Sequence, residues 1–332
     1  MREADRLGAF SRTAAPDAAS PRRVSVIIPA RNEATLIGRT VGAILEQRSA
    51  DVDIEVIVVD DGSTDETASV ARAAGARIVP MDTDRVGNPG AARNRGVAEV
   101  TGDPIIFLDA DCTPADGWLN ALLAAHDAGA VIVGGSLELP PGLPVMARCD
   151  YYCGWYHLHP RRSAGLVPNH PPANLSVRRT AFESTCGFNE RYPIADGHEE
   201  LAWQGELQRA GKQIYFEPRA VVYHWNRPGF ANLLRHNYRW AYSAIESKAE
   251  TGAARMAWLY RFPRLLIALS FPLAPVQAVY IVACWLRAGV VEPLFTLPAV
   301  LAARFAYAAG MMIGGFRWLN FKGTSASAVR LR

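Results

Sequence analysis

Short apolar runs that end on polar clusters, each followed by a stretch with helical spacing, restrict this chain's fold more than any other feature. Residues 24–28 are apolar apart from Ser25 and end at Pro29. Residues 54–59 run into Asp60, Asp61, Gly62 and Ser63, and 104–108 run into Asp109, Ala110 and Asp111. A shorter run covers 77–79 and another covers 130–134. Between them, 35–47 places Leu36, Ile37, Val41, Ile44 and Leu45 on one helical face. Helices are also expected at 64–74 with Thr64 as N-cap, at 90–100 opening on Gly90, and at 118–128. Strands alternating with helices at this spacing predict an α/β protein with a doubly wound, mostly parallel sheet. Such sheets bind ligands outside the carboxyl ends of their strands. Three polar clusters, 29–33, 60–61 and 109–111, are therefore expected on one edge.

Beyond 134 the pattern changes. Residues 140–172 lose periodicity and hold prolines and the aromatic group Tyr151, Tyr152, Trp155 and Tyr156, so irregular structure is expected there. Order is expected again at 173–177, in a helix over 199–210, and in two short strands at 214–216 and 220–223, the second leading into His224.

Composition excludes several classes. A chain of 332 residues that is 50% hydrophobic and 20% charged is neither a disulfide-stapled miniature nor a disordered polymer. Its net charge of +3 is not that of a strongly cationic nucleic-acid binder. That mean hides a division: residues 229–332 carry 12 Lys and Arg against 3 Asp and Glu, so +9, and the rest carry 23 against 29, so −6. Five scattered cysteines without a CxxC pair read as free thiols of a reducing compartment. Residues 1–22, rich in Ala, Ser, Arg and Pro with no apolar segment, read as a flexible leader.

Asp109 and Asp111, two apart at a strand end, are hard ligands suited to Mg²⁺ or Mn²⁺ with phosphate oxygens completing the shell. Asp60 and Asp61 can accept hydrogen bonds from a nucleobase or ribose, and can equally serve the following helix as a capping cluster. At the 90–100 helix start, backbone N–H groups and Arg93 suit an anion. Glu199 and Glu200 open a helix as an acidic first turn that complements its dipole.

The order of these motifs resembles family 2 glycosyltransferases with the GT-A fold. The resemblance rests on Pro29-Ala30-Arg31-Asn32-Glu33, Asp60-Asp61-Gly62-Ser63-Thr64-Asp65, Gly90 with Arg93, Asn94 and Gly96, and Asp109-Ala110-Asp111. It continues through Asn174-Leu175-Ser176-Val177, Gly187-Phe188-Asn189-Glu190, Glu199-Glu200 and the segment up to His224, covering 23–240. It implies that Pro29, Ala30, Arg31, Glu33, Asp60, Asp61, Arg93, Asp109 and Ala110 bind a nucleotide-sugar. It implies that Asp111, Asp109 and His224 hold the metal, and that Glu200, with Glu199, supplies the base for an inverting displacement. The family usually carries Glu-Asp where this chain has Glu199-Glu200, and its further acid two positions on is Ala202 here. Arg239 and Trp240 resemble part of the Q/R-x-x-R-W element of processive relatives. With Asn174 they are expected near the acceptor or diphosphate.

The basic end contains an uncharged apolar run at 265–286, long enough for a bilayer core, and a second apolar segment at 293–316 that includes Arg304. The expected organisation is a leader at 1–22, a GT-A domain at 23–228, amphipathic or interfacial helices at 229–264, two apolar membrane segments at 265–318 as a hairpin or re-entrant pair, and a basic tail at 319–332. With Arg255, Arg261 and Arg264 before the hairpin and Arg317, Lys322, Arg330 and Arg332 after it, both ends face the cytoplasm by the positive-inside rule. The expected enzyme therefore sits on the cytoplasmic (inner) membrane, takes a UDP-sugar by family frequency, and acts on a lipid-linked or glycan acceptor in envelope glycan or glycolipid synthesis. Two alternatives stay open: a sugar-phosphate nucleotidyltransferase, and a nucleotide-sugar-binding membrane protein without turnover.

Overall fold

Strand β1 (Arg22–Ala30) begins the described chain and pairs in parallel with β2 (Val52–Asp60), so that Ala30 stands opposite Asp60. Helix α1 (Ile37–Leu45) joins them, burying Ile37, Val41 and Ile44. Helix α2 (Thr67–Ala73) leads to β3 (Arg77–Pro80), and α3 (Pro89–Ala98) to β4 (Ile105–Leu108), which lies parallel to β1 on its other side. Strands β1, β2 and β4 are mostly buried, as parallel strands covered on both faces are, whereas β3 at the sheet edge buries only Val79. Next come β5 (Cys112–Pro114), α4 (Trp118–Asp127), β6 (Ile132–Glu138), α5 (Val145–Trp155), β7 (Gly165–Val167), β8 (Asn174–Val177), α6 (Arg179–Glu183), α7 (Glu199–Arg209) and β9 (Ile214–His224). The sheet order is β3-β2-β1-β4-β8-β6-β9-β5, with β7 added on β9. Its β3–β4 half is parallel, whereas β8 is antiparallel to both neighbours and β5 is antiparallel to β9.

The computed structural model describes residues 21–82, 85–190, 199–251 and 257–330, in two units. The first, Met1–Glu138 with Leu158–Ala195 and Glu206–Trp225, holds the whole sheet. The second, Leu139–His157 with Asp196–Gly205 and Asn226–Arg332, is helical. It contains α5, the start of α7, α8 (Phe230–Tyr242), α9 (Ala244–Thr251), a 3₁₀ turn (Ala257–Arg261), α10 (Pro263–Arg287), α11 (Glu292–Phe295) and α12 (Leu297–Arg330). Its core joins Ala241 and Ile245 to Leu266, Ile267, Met311 and Trp318.

Several expectations are corrected. Helix α2 starts at Thr67 rather than Thr64, because the Thr64 amide and hydroxyl both donate to the Asn32 side chain. Helix α3 opens at Pro89 behind Asn88, whose Oδ1 accepts the Ala91 amide at 3.0 Å, and not on Gly90. The stretch expected to be irregular contains α5, which buries nearly every residue from Ala147 to Trp155 and so shows no amphipathic period. The two short strands expected at 214–223 are one strand with a register shift against β6 at Gly135/Ser136. The second apolar segment is two helices, since Pro293 and Pro298 each open a new first turn. Helix α12 then runs through the expected basic tail to Arg330. Residues 1–20 of the expected leader and His198 lie outside the described residues, and Arg22 belongs to β1.

Pro263–Arg287 and Leu297–Asn320 are long and apolar enough to cross a membrane, with 39% and 50% of their apolar windows buried in the protein.

Candidate active site

The parallel register of β1 and β2 sets the 29–34 loop beside 60–67, and hydrogen bonds then join the two. Asp61 N–H donates to Ala30 O at 2.9 Å, Asn32 N–H to Ser63 Oγ at 3.1 Å, and Glu33 N–H to Thr67 Oγ1 at 2.8 Å. Asn32 sits at φ 56°, a left-handed conformation that Asn tolerates better than most residues. Asp60 accepts the Ser63 amide at 3.1 Å, so it does act in a turn, while the buried Asp61 accepts the Gly87 amide at 2.8 Å. Burial pushes the Asp61 carboxyl above its ordinary range, against the Gly87 hydrogen bond and the nearby Arg31 charge.

One strand over, Asp109 follows β4 directly. Arg93 from α3 is buried and donates from Nη2 to Asp109 Oδ1 at 2.7 Å, with its guanidinium 5.5 Å from the Phe188 ring centroid. Burial raises the Asp109 carboxyl above its usual range, and Arg93 pulls in the opposite direction. The neighbouring Asn94 accepts the Phe188 amide at 2.9 Å and donates to the Phe188 carbonyl at 2.9 Å. That pair of bonds ties the Arg93-Asn94 motif to the Gly187-Phe188 motif, a link without trace in local sequence.

Asp111 is fixed by its backbone. Cys112 N–H donates to Asp109 O at 3.0 Å, Trp225 N–H to Asp111 O at 2.9 Å, and Thr40 Oγ1 to Ala110 O at 3.0 Å. Antiparallel pairing of Cys112 with His224 then sets His224 Nε2 3.8 Å from Asp111 Oδ1. Two atoms bound to one ion at ~2.1 Å lie at most about 4.2 Å apart, so this spacing admits a shared divalent cation. Cys112 Sγ belongs to the same group, its ligand atom within 4.8 Å of the other two. Burial and the flanking carboxylates hold its pKa far above the ordinary thiol value. As a soft sulfur donor it suits Mg²⁺ or Mn²⁺ less well than the oxygen and nitrogen donors beside it.

The remaining expected residues are described within the unit that holds each. Asn174, expected near the acceptor or diphosphate, is fully buried in the sheet unit. Its amide donates to Ser136 O at 2.9 Å and Ala220 O at 2.8 Å, and its carbonyl accepts Trp118 Nε1 at 2.9 Å. All three of these side-chain hydrogen bonds go to the scaffold. Glu199 and Glu200 form the acidic, buried first turn of α7 in the helical unit. Arg239 and Trp240 are on α8 of that unit, where Trp240 stacks on His236 at 5.6 Å with rings 4° from parallel and meets Trp155 at 5.4 Å. Behind His236, the buried Asp150 accepts its Nδ1 at 2.7 Å, Asn226 Nδ2 at 2.7 Å and Asn237 Nδ2 at 3.0 Å. Sequence reading assigned nothing to Asp150, and the apolar run around it offered only an isolated acid as a signal.

Comparison with known proteins gives a consistent answer. The model of the family described as "Glycosyl transferase family 2" matches residues 25–184. Glycosyltransferase AglE of Haloferax volcanii is 31% identical over 222 residues, which cover 65% of this chain and 71% of AglE. The pre-mycofactocin glycosyltransferase of Mycobacterium tuberculosis is 30% identical over 263 residues, 74% of this chain, which spans about half (53%) of that relative. Among solved structures, the mannosyltransferase PcManGT from Pyrobaculum calidifontis, in complex with GDP-Man and Mn²⁺, has a TM-score of 0.57 at 24% identity, covering 94% of this chain and 91% of its own. S. aureus TarS 1–349 in complex with UDP-GlcNAc has a TM-score of 0.51 at 16% identity, with 90% and 92% covered. The likeness to these two structures is one of fold.

Proposed function

The chain belongs to glycosyl transferase family 2, and from that premise we propose that it transfers a sugar from a nucleotide-sugar to a hydroxyl acceptor in one inverting displacement. The observation that carries this reading is the meeting of Asp111 and His224 beside the Arg93–Asp109 pair at the strand ends. Asp61, buried with Arg31 nearby, is assigned to the nucleoside, with Pro29, Ala30, Glu33 and Asp60 building the walls around it. Arg93 is assigned to positioning: paired with Asp109, it holds that carboxylate toward the donor rather than taking a phosphate itself. Asp111 and His224, with Asp109 beside them, would hold Mn²⁺ or Mg²⁺, which supplies charge for the diphosphate leaving group. Glu200, with Glu199 beside it, is assigned as general base. The acceptor oxygen forms a bond to the anomeric carbon, the bond from that carbon to the diphosphate breaks, and the acceptor proton passes to the carboxylate. Arg239 and Trp240 are assigned to the acceptor.

The two long apolar helices and the +9 balance of residues 229–332 support action at a membrane on a lipid-linked or membrane-delivered acceptor. We place the catalytic unit on the cytoplasmic side of the inner membrane, in envelope glycan or glycolipid synthesis. UDP-sugars are the first donors to test, with GDP-mannose as the second arm.

The test is a nucleotide-sugar panel with Mn²⁺ or Mg²⁺ in membrane extract, reading nucleoside diphosphate release and labelled lipid together. Asp111→Ala is expected to lose turnover, and Glu200→Gln to lose turnover by ~10²–10⁴-fold while still binding donor. Pyrophosphate release would mean a nucleotidyltransferase. Donor binding without any product in the parent chain would mean a binding protein, and unchanged turnover in Asp111→Ala would undo the metal assignment.

A further inference from the structure

Helices α10 and α12 share one exposed apolar face. On α10 it includes Leu265, Leu269, Val276 and Val279, and on α12 it includes Ile313 and Phe316. The rings of Phe271 and Phe305 bridge the two helices at 6.1 Å. The opposite side of α12 is covered. Arg304 donates to Asn237, Gly310 lies against the Tyr238 carbonyl, Gly314 against the Tyr242 carbonyl, and Arg317 pairs with Glu246 at 3.2 Å. From 310 to 317 the steps along α12 are matched by steps of similar size along α8 and α9, from 238 to 246, so these run beside α12 there. That is a length of about 10 Å, a third of a ~30 Å hydrocarbon core, and the Gly310–Tyr238 contact lies near the middle of the apolar stretch Leu297–Asn320.

Helix α8 exposes Arg235, His236 and Arg239. A membrane-crossing α12 would carry those side chains into hydrocarbon, where charge is costly. Helix α10 shares that constraint, because it packs antiparallel on α12, Ile267 beside Gly315 and Phe271 beside Phe305.

We propose that α10 and α12 do not cross the bilayer but lie in the plane of an anionic one, their common apolar face sunk ~5–10 Å below the headgroups. This rests on the membrane reading above and adds the mode of binding. Exposed Arg261 and Arg264 stand at the start of α10 and exposed Arg287 at its end, where anionic headgroups complement them. A second copy on the same face would bring that arginine rim against its own equivalent, so lipid is the fitting occupant. The apolar character all round α10 follows: one side packs on protein and the other on acyl chains.

The test is a depth profile. Spin labels go on single cysteines at Leu265, Leu269, Val276, Val279 and Leu286 of the full chain, with Cys186 and Cys284 changed to Ser, in vesicles containing phosphatidylglycerol. All five labels are expected at a similar shallow depth, and binding is expected to fall at least ~10-fold in pure phosphatidylcholine. A profile deepest at Val276 and rising to both ends means a crossing helix; it overturns the in-plane arrangement and leaves the membrane reading standing. Labels open to water in a chain that does not sediment with vesicles overturn both. Labels shielded without lipid, in a particle of doubled mass, assign the face to a second copy and overturn the proposal.

Discussion

Arg304→Leu distinguishes two accounts of α12 by the sign of its effect. By hydropathy alone, removing a charge from a candidate membrane helix removes an insertion cost of ~2.5–3.5 kcal/mol, and the variant should gain stability in membranes. In the structure Arg304 is 5% exposed, donates to Asn237 Oδ1, and lies 4.6 Å from the Tyr307 ring centroid. Asn237, 1% exposed, passes its amide hydrogen to Asp150 Oδ1 at 3.0 Å. Guanidinium and carboxylate thus face each other across one amide, on the order of 6 Å apart, where two charges attract by ~3 kcal/mol at an effective dielectric near 20. Leucine replaces much of the volume but takes away that balancing charge and the donor to Asn237. Breaking one side of a buried pair costs ~3–5 kcal/mol, and we expect the lower end, since His236 still contacts Asp150. The melt of the full chain in vesicles, followed by tryptophan fluorescence, should fall by about 4 °C. Adding Asp150→Asn should recover ~1–2 kcal/mol, because the stranded charge is then gone. Melting at or above the parent temperature, or strict additivity of the two changes, would refute the network.

The other predictions concern both units. Burial holds His126 at about 3 and His170 at about 4, against an ordinary 6.5, so both are neutral in the fold. The unfolded chain takes up those protons below pH 6.5; their contribution is full above that value and is lost as pH falls toward the folded values, by ~2 kcal/mol per histidine at pH 5. Denaturation midpoints at pH 7.5 and 5.0 should show this loss, and His126→Asn should remove about half of it; an unchanged difference contradicts the assignment. Gly314→Val puts a side chain into the Tyr242 carbonyl and should cost ~2–3 kcal/mol, seen as earlier proteolysis of the helical unit. Parent-like resistance would mean that α8 and α12 are not packed there. Asn174→Ala leaves buried Trp118 Nε1 without its acceptor and should cost ~3 kcal/mol, while the acceptor KM below the melting range stays at the parent value. A raised KM at parent stability would return Asn174 to the acceptor.

The parallel half of the sheet was legible because strands buried on both faces are continuous apolar runs, and because chemistry in such sheets gathers at their carboxyl ends. Asp60, Asp61 and Asp109 were visible for the same reason. Pairings between distant segments were not. Nothing near Asn32 signals that Thr64 will turn toward it and delay α2, and nothing in Cys112-Thr113-Pro114 marks three residues as a strand until β9 lies beside them. Helix α5 was hidden by burial on all sides. Arg304 looked like an obstacle to an apolar helix only while its partner Asn237, 67 positions earlier, was out of view.

The place of His224 shows how the site depends on residues that do not belong to it. Strand β9 follows β6 in register as far as Gly135 opposite Glu217, then resumes with Ser136 opposite Val221, so three residues of β9 are passed over. Pro218 and Ala220 lie in that excess: Ser136 Oγ bonds Pro218 O at 2.8 Å and Asn174 Nδ2 bonds Ala220 O at 2.8 Å. In an uninterrupted register every later residue of β9 would shift by three positions, an odd number, and a strand's side chains change face with each odd step. His224 would then leave both Cys112 and Asp111. The buried amide of Asn174, bonded to Ala220 O inside the excess, thus helps to fix which β9 residue stands beside Asp111, which gives a motif asparagine a structural purpose.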